Sequence, residues 1–111
     1  MVRDMNLKKL LGKKIQEIRK SRHLTQETLA ELVEIDTSSI SHIENGKYYP
    51  SAENLEKIMQ ILNIKPSEIF NFEYYADKHS LVQEMTEAMQ NNEKLVRLMY
   101  QFYSTIKYNI K

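Results

Sequence analysis

The sequence predicts an all-α chain, with five short helices in one domain and a helical hairpin after it. Two observations carry that expectation. Only two Gly and two Pro occur in 111 residues, too few turn formers for a sandwich or barrel of many short strands and too few glycines for a phosphate-cradling loop. Apolar residues also recur at three- and four-residue spacing through most of the chain, the period of an amphipathic helix. Leu, Ile, Val and Phe number 29 of 111, above the roughly 20% below which chains tend to stay disordered, so the chain is expected to fold.

The first helix is expected at 7–22, where Leu11, Ile15 and Ile18 share one face and the lysines take the opposite side. His23-Leu24 ends it. Thr25 is a suitable N-cap for a second helix at 26–33, with Leu29, Ala30, Leu32 and Val33 inward and Glu27 and Glu31 outward. Asp36 is the next N-cap; it opens a helix at 37–45 with Ile40 and Ile43 inward, closed by Gly46. Pro50-Ser51 resets the chain into a fourth helix, 52–62, presenting Leu55, Ile58, Met59 and Leu62 on one face. Pro66 starts a short fifth helix, 66–71, ending in Ile69-Phe70.

Helical spacing is lost in the tract Asn71–Ala76, which reads as a linker, so the organisation expected is a first domain at 1–70, a linker at 71–76 and a helical segment at 77–111. Leu81, Met85, Ala88 and Met89 form one stripe before Gln90-Asn91-Asn92. Leu95, Leu98, Met99, Phe102, Tyr103 and Ile106 form another after it. Two helices of this length cannot bury both stripes against each other, because the pair has no third layer. A partner surface over 77–108 is implied.

Net charge is +1, but its distribution is uneven. Residues 1–22 carry eight Lys and Arg against Asp4 and Glu17; residues 23–46 carry Glu27, Glu31, Glu34, Asp36 and Glu44 and no Lys or Arg. A polarised field follows if these charges occupy separate faces. With no Cys there is no disulfide, thiolate zinc site or thiol nucleophile. His23, His42 and His79 lack metal-ligand spacing, so neither a metal nor a cofactor nor catalysis is expected. No apolar run is long enough to span a bilayer and the first residues lack a signal peptide's apolar block, so the cytoplasm is the expected location.

Residues 25–46 have the layout of a helix-turn-helix: two short helices, a turn of about three residues, and small Ala30 where the helices cross closely. The stretch 11–70 closely resembles the phage-repressor and Cro-type helix-turn-helix domain of the xenobiotic-response-element family. The resemblance is spread over Ile15 and Arg19, then Leu24, Gln26, Leu29 and Ala30, then Ile40, Ser41, Glu44, Asn45 and Gly46, then Pro50 and Leu62. It implies a sequence-specific transcriptional regulator, a dimeric repressor on an inverted-repeat operator in double-stranded DNA. By the same resemblance, Thr37, Ser38 and His42 map to the base readers, Gln26 to a phosphate contact, and Asn45 and Lys47 to a second phosphate clamp. Arg19 and Glu44 resemble a family ion pair. Glu27, Glu31 and Glu34 are expected to point away from DNA.

The sequence departs from the family's pattern in two respects. Glu34 stands where the family usually has Gly, which implies a non-glycine residue at positive φ. The third helix also lacks the Gln or Arg often used for bidentate base contacts, leaving hydroxyls and one imidazole. A basic domain followed by a helical hairpin is similar to small biofilm and sporulation regulators whose tail also binds antagonists. Two occupants of the tail therefore stay open: a second copy of the chain, giving a homodimer, or another protein, either an antagonist or the toxin partner of an antitoxin.

Overall fold

The computed structural model describes residues 6–110; Arg3 and Asp4 of the uneven N-terminal charge, and Lys111, lie outside that range. The described residues form seven α-helices: α1 (Leu7–Ser21), α2 (Gln26–Val33), α3 (Thr37–Glu44), α4 (Ala52–Leu62), α5 (Pro66–Ile69), α6 (Lys78–Gln90) and α7 (Glu93–Ile106), with a 3-10 turn at Glu73–Tyr75 before α6. The chain divides into two compact units between Glu73 and Tyr74.

Short polar side chains start most of these helices by accepting a bond from a first-turn N–H. Asn6 accepts from Lys9 N, Thr25 from Thr28 N and Ser51 from Asn54 N. In the tail, Asp77 accepts from Ser80 N and Asn92 from Leu95 N. Asp36 differs from expectation: it holds the N-cap position of α3 in extended conformation, but its side chain makes no capping bond.

The first four helices all end in the same way. A left-handed residue follows the last turn, and the next N–H reaches back five residues to a carbonyl, the 6→1 closure of a Schellman motif. His23 (φ 60°) precedes Leu24 N→Arg19 O, Glu34 (φ 67°) precedes Ile35 N→Ala30 O, Gly46 (φ 76°) precedes Lys47 N→His42 O, and Asn63 (φ 53°) precedes Ile64 N→Met59 O. A chain with two glycines thus makes four sharp turns, three of them with non-glycine residues held in a disfavoured conformation. What holds them is the residue that follows. Leu24, Ile35 and Ile64 each pack against the core, so burial of an apolar side chain offsets a left-handed cost of roughly 1–2 kcal/mol.

That core consists of Leu11, Ile15, Ile18, Leu29, Ala30, Val33, Ile40, Ile43, Ile58, Leu62 and Ile69. Gly12 lets α1 approach the end of α3: a Cβ there would stand 2.2 Å from the Ile43 carbonyl oxygen and 2.8 Å from that of Glu44. Three expectations need correction. Leu32 is not inward but 52% exposed; α2 has only one narrow buried stripe, filled by Leu29, Ala30 and Val33. Lys14 does not sit on a solvated face but is buried, as its long aliphatic stem permits. The fifth helix, expected over 66–71, ends at Ile69; the chain turns there, Phe70 is 43% exposed, and Phe72 packs on the core and meets the Phe70 ring edge-on, 6.4 Å between centroids. The tract expected as a linker is therefore partly structured, by Phe72 and by the 3-10 turn.

The second unit is the α6–α7 hairpin. Leu81, Met89, Leu95 and Ile106 are half-buried, but neither helix has a fully buried residue. Val82, Met85, Leu98, Met99, Phe102 and Tyr103 are all exposed. No helix among the described residues is long and apolar enough to cross a membrane.

Candidate nucleic-acid interface

The outward face of α3 follows from which of its residues the core takes. Ile40, Ile43 and Glu44 are buried, which at 3.6 residues per turn leaves Thr37, Ser38, Ser41, His42 and Asn45 on the other side. Thr37, Ser38 and Asn45 are exposed, and Ser41 and His42 half-buried. Thr37, Ser38 and His42 thus share a face as expected, and Ser41, which the sequence did not single out as a reader, lies at its middle. Its spacing, i+4 from Thr37 and i+3 from Ser38, was the available signal.

The placement of α3 depends on one buried carboxylate. Glu44 accepts two bonds from Arg19 of α1, from Nε to Oε2 at 2.7 Å and from Nη2 to Oε1 at 3.0 Å, and a third from Gln26 Nε2 to Oε1 at 2.9 Å. Arg19 also donates from Nη1 to the Leu24 carbonyl at 2.7 Å. Both members of the pair are buried, and charges out of water persist only when paired and hydrogen-bonded in this way. Three helices are so joined through one side chain. Gln26, expected to grip phosphate, has its amide nitrogen directed at Glu44; a primary amide nitrogen carries two hydrogens, so one N–H is used and one is left over.

The turn after α3 departs from the other three. Where Leu24, Ile35 and Ile64 enter the core, the corresponding residue is Lys47, which is exposed. Gly46 fits there for two reasons, its φ of 76° and the closeness of α1: a Cβ would lie 2.6 Å from Lys9 Cγ. The start of α1 thereby brings lysines to this turn. Lys8 Nζ lies 5.9 Å from the Tyr49 ring centroid, a cation–π distance. Tyr48 meets the His42 ring at 5.0 Å and 79°, a T-shaped contact. Both tyrosines are more than half exposed and went unmarked in the sequence, since nothing in periodicity tells an exposed turn tyrosine from a core one. Glu27, Glu31 and Glu34 are all exposed.

The helix-turn-helix family profile matches residues 15–69. Control protein C.MunI from Mycoplasma sp is 40% identical over 67 residues, covering 60% of this chain and 90% of that protein. The crystal structure of the restriction-modification controller protein C.AhdI from Aeromonas hydrophila superposes with a TM-score of 0.54 at 35% identity, over 56% of this chain and 94% of that one. A SinR protein/SinI protein complex shares the fold over more of the chain, 90% of this one and 99% of that one, with a TM-score of 0.54 at 20% identity. With the polar outward face on α3, the buried clasp behind it and these relatives, the chain belongs to the helix-turn-helix family and is a sequence-specific DNA-binding transcriptional regulator.

Proposed function

We propose that the protein is a repressor that binds an inverted-repeat operator as a homodimer held through residues 77–108, and that it acts by binding and not by catalysis. The carrying observation is the contrast between α3, whose outward face is polar and short-chained, and α7, whose exposed face is apolar. A helix of eight residues fits the major groove with its N-terminal side chains at base edges. Thr37, Ser38 and His42 then read bases, with Ser41 beside them. Gln26, through its remaining amide N–H, and Asn45 and Lys47 hold phosphates on either side and fix the register. Hydroxyls give fewer base-specific bonds than Gln or Arg, so DNA shape and deformability supply part of the discrimination.

A two-fold dimer sets two recognition helices on half-sites about 34 Å apart, and the second domain then binds at high effective concentration. The exposed apolar face of the tail supports self-association as its cover. The SinR/SinI likeness supports a second reading, in which the hairpin takes another protein, an antagonist or a toxin.

Selection of bound DNA from a random pool at fixed salt, with sedimentation of the full chain, tests this. A palindrome with half-sites one helical turn or a multiple apart, bound by a dimer, is expected. A monomeric full chain, or selection of an isolated half-site, overturns the homodimer and moves the tail to the second reading.

A further inference from the structure

The geometry points to Tyr48 as a specificity-determining residue that acts by positioning: its ring holds the His42 imidazole in the orientation that reads its base pair. The inference rests on the proposed reading of His42. A histidine on a helix keeps more than one χ1 rotamer and a broad χ2, so its ring nitrogens offer a base edge a defined direction only if the plane is held. Nothing on α3 itself does this. Thr37, Ser38 and Ser41 are too short to pack an imidazole plane, and the buried neighbours Ile40, Ile43 and Glu44 lie on the opposite side.

Tyr48 supplies the missing wall from outside the helix. Its ring stands 5.0 Å from that of His42 and nearly perpendicular to it, at 79°, an arrangement in which a ring's positive edge meets a negative face. Tyr48 is not there as core, for it is 55% exposed, and none of the residues forming the buried cluster is its neighbour in sequence. Its own position is set by the rigid turn before it: Gly46 is left-handed and closes the Lys47 N→His42 O bond at 2.9 Å, while Tyr49 next to it lies by Lys8. The same backbone closure that ends α3 thus directs the chain back along the reader, so that the Lys47 N–H bond to the His42 carbonyl and the Tyr48 ring contact to the His42 side chain come from consecutive residues of one turn.

A residue acting this way changes which base is preferred, and a residue that only touches phosphate changes affinity for all sequences. The test is binding selection and titration on single-base variants of the selected site with four proteins: His42→Ala, Tyr48→Ala, Tyr48→Phe and the double His42→Ala/Tyr48→Ala. Expected is loss of preference at one base pair per half-site in His42→Ala, with Tyr48→Ala losing preference at the same base pair by about threefold to tenfold, the range one ring pair represents. The double variant should match His42→Ala, and Tyr48→Phe, which keeps the ring, should match the natural protein. If His42→Ala changes one base position while Tyr48→Ala weakens every sequence alike and adds to it, positioning is overturned and the base reader stands. If His42→Ala alters no position, the reading of His42 fails and this inference falls with it.

Discussion

In the first unit α3 spends its eight residues on both tasks, burying Ile40, Ile43 and Glu44 and leaving a polar face outward. In the tail α7 has nearly twice that length and a broad apolar face, yet none of its residues is buried, and Phe102 is 60% exposed. The difference lies in the number of layers. Around α3, helices α1 and α2 supply covers on two sides, with α4 behind α2, and the left-handed turns bring Leu24, Ile35 and Ile64 in as further packing. A hairpin offers each helix one neighbour, so about half of each stripe stays in water. A self-sufficient core and an unfinished one therefore lie in the same chain, and each should respond differently to the same kind of substitution.

The largest expected effect is at the clasp. Glu44→Ala leaves the buried Arg19 guanidinium without its carboxylate and Gln26 without its acceptor, a loss of about 3–5 kcal/mol for a broken buried pair. Urea unfolding measures it. The double substitution Arg19→Met/Glu44→Leu removes both charges and should recover most of that loss; if it is as damaging as the single one, packing of this corner and not charge compensation carries the stability.

Ile40→Ala and Phe102→Ala put the two units side by side. Ile40 has no exposed surface, and its truncation should cost about 2–5 kcal/mol of stability by leaving a cavity. Phe102→Ala removes a larger side chain, but one that α6 does not cover. It should leave the melting of the first unit near its natural value and weaken self-association, seen as a shift to lighter species in sedimentation. A Phe102→Ala protein that melts like Ile40→Ala would show that the tail's face is covered within the folded chain.

The sequence legible in these units was the part written in periodicity. Ile40, Ile43, Ile58 and Leu62 lie at helical spacing and are buried as read, and of the two caps read, Thr25 makes its bond and Asp36 does not. Turn closure was less visible: Glu34 stood out against the family's glycine, whereas His23 and Asn63 take the same left-handed conformation with only the mild preference of their residue types and the apolar residue after each as local signals. Lys14 and Leu32 were misplaced because a side chain's burial depends on what another helix brings opposite it. At the interface, Thr37, Ser38 and His42 do share the outward face of α3, whereas the Glu44 bond to Gln26 joins residues 18 positions apart and no spacing rule reaches that far.

Glu34→Gly is a smaller test, of whether the apolar anchor fully offsets a disfavoured backbone. Glu34 sits at φ 67° and ψ 43° with an exposed side chain. Glycine removes the steric cost but adds freedom to the unfolded chain, so a net gain of up to about 1 kcal/mol is expected, or roughly 4–8 °C in Tm for a unit of this size. A lower Tm would mean that Glu34 makes a favourable contact through its carboxylate that outweighs its conformation.

The smallest effect separates the two units by their caps. The first unit caps α1, α2 and α4 with Asn6, Thr25 and Ser51, none of which titrates near neutrality or below, whereas α6 is capped by Asp77. The backbone N–H of Ser80, 2.7 Å away, and then the Ser80 hydroxyl hold the Asp77 carboxyl below its ordinary value, because both bonds favour the charged form. A native value below the unfolded one means that the folded state binds the proton less readily. The cap's contribution is therefore complete above the ordinary carboxylate range and is lost as pH falls through the lowered native value. Asp77 is fully exposed, so solvent screens the effect and it should be confined to the first turn of α6. Amide exchange at Ser80 reads it directly, with protection falling on acidification while Thr28 and Asn54, behind Thr25 and Ser51, keep theirs until the unit unfolds. Asp77→Asn retains an N-cap oxygen without the titration and should flatten the pH response at Ser80 alone. If protection at Ser80 still falls with acid in that variant, another group in the tail carries the pH response and the caps do not distinguish the two units.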